Sequence, residues 1–311
     1  MINICFMGSP KFALQTLDIL YYDKNFDIKL VVSAPDKKRS RGKVTPTPIK
    51  EYALDKGLDV ITPDSVNTDE FVEELQKREI DFIVVVAFGQ LIGKKLLDVY
   101  EDRIINLHPS LLPKYRGASP MQFSLLNGEK ITAATSMLIE KGMDSGDILI
   151  QREVPIDDDE DYFDLEERLS QVGAEAIRDS LLNFDKVYAK RIKQNDEEAT
   201  YCTKITKDMG KIDWNKLSDE IVDKVRAFVE YPVAFFTYQG KNLKVHKAKA
   251  LNGYEANPSY VYKANPKEGL IIGTGDGAIE IKTIQAPGKK AMTSEAFLLG
   301  NKIEENKKLD E

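Results

Sequence analysis

The first hundred residues alternate between apolar runs and segments with helical spacing. "NICFMG" reads as a buried strand, and "FALQTLDILYY" as an amphipathic helix. "DIKLVVSA" is a second strand. "NTDEFVEELQKREI" predicts a helix capped by Asn67 or Thr68, with Phe71, Leu75 and Ile80 facing inward. "DFIVVVAFG" is continuously apolar, as expected of a strand covered on both faces, and "DRIINLH" is another strand. This alternation predicts a doubly wound, mostly parallel sheet of the α/β class.

Farther on, "ITAATSMLIEKGMDSGDILIQREVPI" holds two strand-like stretches around a Gly-containing turn. "DLEERLSQVGAEAIRDSLLNF" predicts a long helix with Leu165, Leu169, Val172, Ala176 and Leu181 on one face. The chain then turns polar. The expected division is a catalytic domain over 1–189, a linker over 190–206 and a second domain over 207–311. The last part carries one helical stretch and several short strands separated by Gly turns, the pattern of a small β-barrel.

In a doubly wound sheet, ligands bind beyond the carboxyl ends of the strands. Gly8-Ser9-Pro10, Phe88-Gly89 and Asn106–His108 all fall at such ends. The turn at Gly8 lacks the GxGxxG pattern, so it reads as a tight strand-to-helix turn and not as a dinucleotide site. Asn106 and His108 are two apart in a strand and share one face. Asp144, in "EKGMDSGD", is placed to join them from a neighbouring loop, although "DSGD" is also ordinary turn chemistry. An imidazole, a carboxamide and a carboxylate together suit acyl transfer to an amine. They supply proton transfer near neutral pH, a donor for the developing oxyanion, and a counter-charge for the imidazolium.

Composition narrows the classes. The 311 residues are 42% hydrophobic and 31% charged, a globular balance long enough for about two domains. No apolar run approaches the ~20 residues of a membrane span, and the N-terminus lacks a basic leader, so the cytoplasm is expected. The two cysteines, Cys5 and Cys202, form neither a disulfide framework nor a zinc cluster, and no metal is expected. The net charge of −7 is uneven. Residues 1–206 hold 27 Lys and Arg against 36 Asp and Glu, whereas 207–311 hold 17 against 15. Two basic runs stand out. "PDKKRSRGKVTPTPIK" sets Lys37, Lys38, Arg39, Arg41, Lys43 and Lys50 against Asp36; "GKNLKVHKAKAL" holds Lys241, Lys244, Lys247 and Lys249 around His246. Each is either a solvated surface or a contact with a polyanion.

The motif "NLHPSLLPKYRGASPMQ", followed by "GMDSGDIL", resembles the signature of the 10-formyltetrahydrofolate-dependent formyltransferases. The likeness extends through "FMGSPKFA", "PDKKRSRGKVTPTPIK", "IVVVAFGQLI", "YCTKITKDMGKIDW", "VRAF" and "GTGDG…APGKKAM". Over nearly the whole chain it is similar to the branch acting on methionyl-tRNA. The resemblance implies a Rossmann-like catalytic domain and an OB-like C-terminal barrel. It implies transfer of the formyl group of 10-formyltetrahydrofolate to the α-amino group of methionine on initiator tRNA. The implied catalytic trio is Asn106, His108 and Asp144. The implied folate contacts are Ser110, Leu111, Leu112 and Pro113; from their place at a strand's carboxyl end, Phe88 and Gly89 are expected to join them. The implied tRNA contacts are Lys38, Arg39, Arg41 and Lys43, with Arg41 as the key arginine; from the second basic run, Lys244 and Lys247 on the barrel are expected to add phosphate contacts. A monomer is expected. "AFVEYPVAFF" departs from the family pattern at Val229-Glu230-Tyr231. The rivals are a small-molecule formyltransferase or formyl hydrolase, and a non-catalytic folate- or RNA-binding module.

Overall fold

In the computed structural model, which describes residues 1–38 and 44–309, the apolar runs of the first half become a sheet. The strands and helices, in chain order, are β1 (Ile2–Gly8), α1 (Leu14–Tyr22), β2 (Phe26–Val32), β3 (Lys37–Lys38), β4 (Val44–Thr45), α2 (Pro48–Asp55), β5 (Val60–Ile61), α3 (Asp69–Lys77), β6 (Phe82–Val86), α4 (Lys94–Val99), β7 (Ile104–His108), β8 (Arg116–Gly117), α5 (Pro120–Leu126), β9 (Ile131–Leu138), β10 (Ile148–Pro155), α6 (Tyr162–Leu182), α7 (Phe184–Ala189) and β11 (Tyr201–Cys202). The large sheet has the order β10-β9-β7-β6-β1-β2-β5. Neighbours from β7 to β5 are parallel, and β9 and β10 add antiparallel strands. The mostly parallel α/β sheet expected from the sequence is therefore present.

Local chemistry explains the elements. All five residues of β6 are buried, because helices cover both faces of a parallel sheet. Thr68 Oγ1 accepts the Phe71 N–H at 3.2 Å and so caps α3, with Asp69 and Glu70 in its first turn. The seam of α6 differs from the predicted one. Val172 is only half-buried, while Gly173 faces inward against Leu107 of β7. A β-carbon on Gly173 would lie 2.6 Å from Leu107 Cδ2, so only glycine permits this approach. Leu107 separates Asn106 from His108, and strand alternation sends it to the opposite face.

Contacts divide the chain into two compact units. The first comprises 1–120, 131–155 and 166–202; the second comprises 121–130, 156–165 and 203–311. The segment read as a linker is hydrogen-bonded into the first unit over much of its length. Ile192 bridges Ile148, and β11 pairs with β8.

The second unit adds α8 (Ser218–Ala227), β12 (Ala234–Tyr238), β13 (Lys241–Asn252), β14 (Tyr260–Asn265), β15 (Gly269–Gly273), β16 (Gly277–Gln285), β17 (Met292–Thr293), α9 (Ser294–Gly300) and β18 (Lys307–Lys308). Its strands form a curled antiparallel sheet of order β12-β13-β16-β15-β14-β18, with β17 on β16. This half-barrel realises the OB-like expectation. Trp214 and Phe236 meet edge to face within its core, 5.7 Å between centroids. The register of β13 shifts around Lys247, and such bulges change which residues share a face.

Candidate active site

The carboxyl end of β7 carries Asn106 and His108. His108 is 4% exposed, whereas Asn106 is half-buried and its carboxamide makes no hydrogen bond among the described residues. The His108 ring is fixed from one side. Its Nε2 lies 2.9 Å from the Tyr115 carbonyl oxygen. A carbonyl only accepts, so Nε2 carries the proton. Nδ1 then holds the free lone pair of the neutral ring, and Asp144 Oδ2 stands 3.7 Å from it. That distance is too long for a hydrogen bond but close enough for a strong charge interaction once Nδ1 is protonated.

Asp144 comes from the β9–β10 connection, where its backbone is left-handed at φ 47°. Its Oδ2 accepts the Gly117 N–H at 2.8 Å. The same oxygen therefore meets a fixed backbone donor and the imidazole. The loop after β7 and the short β8 that follows it supply the two anchors, Tyr115 O for the ring and Gly117 N–H for the carboxylate. Tyr115 (φ 60°) and Gly117 (φ 119°) both have positive φ. A side chain on Gly117 would also strike Cys202 O, 2.3 Å from the β-carbon position. β8 pairs with β11 through Arg116 and Gly117, and Tyr115 N–H donates to Thr200 Oγ1 at 2.9 Å. Sparsely populated backbone held this firmly is typical of functional loops.

The structure thus brings His108 and Asp144 together and sets Asn106 on the same strand face. The implied folate residues divide into two kinds. Ser110 is fully buried, its hydroxyl donating to Lys114 O and its carbonyl accepting from Thr135 Oγ1. Leu112 packs with Met137 and Ile148, and its carbonyl accepts from Gln151 Nε2. Leu111 and Pro113 are half-buried and retain free surface. Phe88 is buried in the core, and its carbonyl accepts from Ser9 Oγ. Gly89, at φ 86°, has nothing within 4 Å of its β-carbon position, so the backbone there borders open space.

Of the basic residues, Arg39, Arg41 and Lys43 lie outside the described residues, and only the backbone of Lys38, in β3, is described. Lys244 and Lys247 are exposed on β13. Lys247 also lines a cavity of about 910 Å³ together with Lys249, Lys282, Asp158, Asp161 and Asp164. His246 Nε2 lies 3.0 Å from Gln285 Oε1, within the second unit.

Three side chains next to the trio were not singled out by the sequence. Cys202 Sγ lies 3.4 Å from both Tyr115 O and Arg116 O. Burial pushes its thiol above the ordinary value, so it is a packed donor and not a nucleophile. Arg116 is 2% exposed, with Nε on Gln194 Oε1 at 3.0 Å and Nη1 on Asp196 Oδ1 at 2.8 Å. Gln194 donates to Asp144 O at 2.9 Å and to Gly146 O at 2.7 Å. Arg116 stands inside the signature motif and was legible as part of it. Gln194 sits in a polar run that gives no local signal.

Comparison with known proteins adds lineage to this geometry. Residues 2–181 match the formyl transferase family model, and 204–302 match the model of the formyl transferase C-terminal domain. A methionyl-tRNA formyltransferase of Finegoldia magna is 41% identical, over 97% of this chain and 98% of the relative. One from Halothermothrix orenii is 40% identical over 99% of each. Among solved structures, the sugar 3N-formyl transferase WlaRD superposes with a TM-score of 0.67 at 24% identity, covering 93% of this chain and 99% of that one.

Proposed function

The chain belongs to the formyl transferase family, and from that premise we propose that it moves the formyl group of 10-formyltetrahydrofolate to the α-amino group of methionyl initiator tRNA. The observation that carries this reading is the orientation of His108. With Nε2–H given to Tyr115 O, Nδ1 is the one ring nitrogen able to take a proton, and Asp144 faces it.

The chemistry then follows from the chain's own groups. An α-amino group titrates near ~7.7–8.0, so roughly a tenth to a sixth of it is already a free nucleophile at neutral pH. The folate supplies the formyl carbon. As the amine nitrogen bonds to that carbon, His108 Nδ1 takes the proton the nitrogen sheds and returns it to the departing nitrogen. Asp144, with Oδ2 held by Gly117 N–H, balances the imidazolium in the interval. The Asn106 carboxamide, uncommitted within the described residues, donates to the formyl oxygen as its charge grows. Catalysis is therefore positioning, proton transfer and oxyanion stabilisation.

The folate fits the open backbone at Gly89 and the half-buried surfaces of Leu111 and Pro113. Ser110, Leu112 and Phe88 contribute as the buried frame behind them. We assign RNA contact to the basic run over 37–50, with Arg41 as its specific donor, and to Lys244 and Lys247 in the C-terminal half. Relatives of near-equal length named for methionyl-tRNA favour this assignment over a small-molecule acceptor. The test is incubation with 10-formyltetrahydrofolate and methionyl initiator tRNA, with detection of N-formylmethionine. Formylation of free amino sugars or formate release, without formylmethionine, would reverse the assignment.

A further inference from the structure

We propose that Gln194 is a positioning residue for Asp144, and that the buried guanidinium of Arg116 sets its orientation; this rests on the catalytic reading above. The side-chain amide of Gln194 has its polarity fixed by its partners. Arg116 only donates, so Gln194 must turn Oε1 toward Arg116 Nε, 3.0 Å away. The NH2 group must then face the other way, where the carbonyls of Asp144 and Gly146 accept at 2.9 and 2.7 Å. Gln194 is 7% exposed, so water cannot easily replace these bonds.

The two carbonyls bracket the turn that presents the Asp144 carboxylate. Asp144 has φ 47°, a conformation that costs energy for a residue with a side chain, and the surroundings must hold it there. Gln194 clasps the turn through its backbone while Gly117 N–H holds the carboxylate itself. Arg116 links both holds. Its backbone joins Tyr115, whose carbonyl fixes the His108 ring, to Gly117, whose N–H fixes Asp144. Its side chain fixes Gln194. Asp196, on the same polar run as Gln194, completes the link by pairing with Nη1 at 2.8 Å. Among the described residues, the buried Arg116 Nη2 has no hydrogen-bond partner. The run 190–202 therefore acts as a brace behind the catalytic carboxylate.

Gln194→Glu separates this role from general packing. It has the same shape and retains an acceptor for Arg116, but it turns oxygen lone pairs toward two carbonyl oxygens. The expected result is a kcat lower by about 10–100-fold, because small misplacements of catalytic groups carry costs of that order. KM for methionyl-tRNA should change by less than about threefold. In an Asp144→Asn background the same substitution should cost less than about threefold, since it acts through the carboxylate already altered. The Gly117 amide resonance, read by NMR without any substrate, should move, because its acceptor is Asp144 Oδ2. An equal fold-loss in both backgrounds, an unchanged kcat, or an unmoved Gly117 resonance would overturn the proposal. Absence of formylmethionine from the wild-type protein would instead overturn the assigned reaction, and the amide resonance would still decide the brace.

Discussion

Leu107 rests against the backbone of Gly173, on the face of β7 opposite to Asn106 and His108. A β-carbon at Gly173 would lie 2.6 and 2.8 Å from the two Leu107 methyl carbons. In an open helix, Gly→Ala gains up to ~1 kcal/mol. Here the added methyl overpacks a buried contact, which typically costs ~1–3 kcal/mol. Gly173→Ala should therefore fail to stabilise the protein in urea titrations. It should also lower kcat, because a displaced Leu107 carries with it Asn106 and His108, the neighbours to which catalysis is assigned above. A variant both more stable and fully active would show that α6 does not hold β7 in place.

Removing the trio's members should separate chemistry from folding. His108→Ala should reduce formyl transfer by ~10²–10⁴. Its structural cost should be modest, since Tyr115 O keeps the Cys202 thiol nearby. Asn106→Ala breaks no hydrogen bond within the described residues, so its melting temperature should match the wild type while kcat falls by ~10²–10³. Asn106→Asp should be no better, because a carboxylate cannot donate to a developing oxyanion. Asp144→Asn combined with His108→Ala should lose much less than the product of the single losses. Full multiplicativity would mean that the two residues act separately.

These residues were legible because their signals are local. A strand puts Asn106 and His108 on one face by parity alone, and β6 announces itself as an unbroken apolar run. The Gly173 seam was not legible. Periodicity favours the larger Val172, and nothing in the helix reveals that Leu107 needs the space. Gln194 was hidden because its partners lie 48 to 78 residues away, and long-range hydrogen bonds leave no periodic trace. The same holds for 121–130 and 156–165, whose contacts group them with residues 203–311. On β13 the lysines at 244, 247 and 249 break strict alternation, and the register shift around Lys247 accounts for it.

Both thiols should be unreactive in the folded protein. Cys5 is fully buried and Cys202 nearly so, and burial pushes each thiol upward from its ordinary value. Only thiolate attacks disulfides and alkylating agents at useful rates. A chromogenic disulfide reagent at pH 7.5 should therefore label neither cysteine quickly, and both after denaturation. Rapid labelling of Cys202 with loss of activity would show that β11 detaches from β8 readily.

Acid should weaken the second unit through Asp276. Its Oδ1 accepts the Ser218 N–H at 2.7 Å at the start of α8, and this bond is the leading cause that holds its carboxyl below the ordinary range. A free N–H in the first turn of a helix needs such a partner. Because the folded-state value is depressed, the stabilisation is fully present above the unfolded value of ~3.9. It disappears as pH falls through the lower folded value. Asp276→Ala should cost about 1 kcal/mol at pH 7, as loss of a helix cap does. The gap between variant and wild type should close in melts at progressively lower pH. A pH-independent gap would mean that the carboxylate's charge contributes nothing.

Arg41 should matter for RNA and not for folate. Its run sets six cations against one acid between Asp36 and Lys50. A guanidinium donates in a planar fork that lysine does not reproduce. Arg41→Ala should therefore weaken the use of methionyl-tRNA, and Arg41→Lys should restore only part of it. Folate affinity should hold, because the proposed pocket is framed by Gly89, Leu111 and Pro113 at other strand ends. Kinetics at several salt concentrations identify the contact, since loss of one phosphate partner lowers the salt slope by ~1. Lys244→Ala and Lys247→Ala should each lower that slope in the same way if the barrel follows the backbone of the same RNA. If Arg41→Ala uses methionyl-tRNA normally and loses folate, the run serves the other substrate.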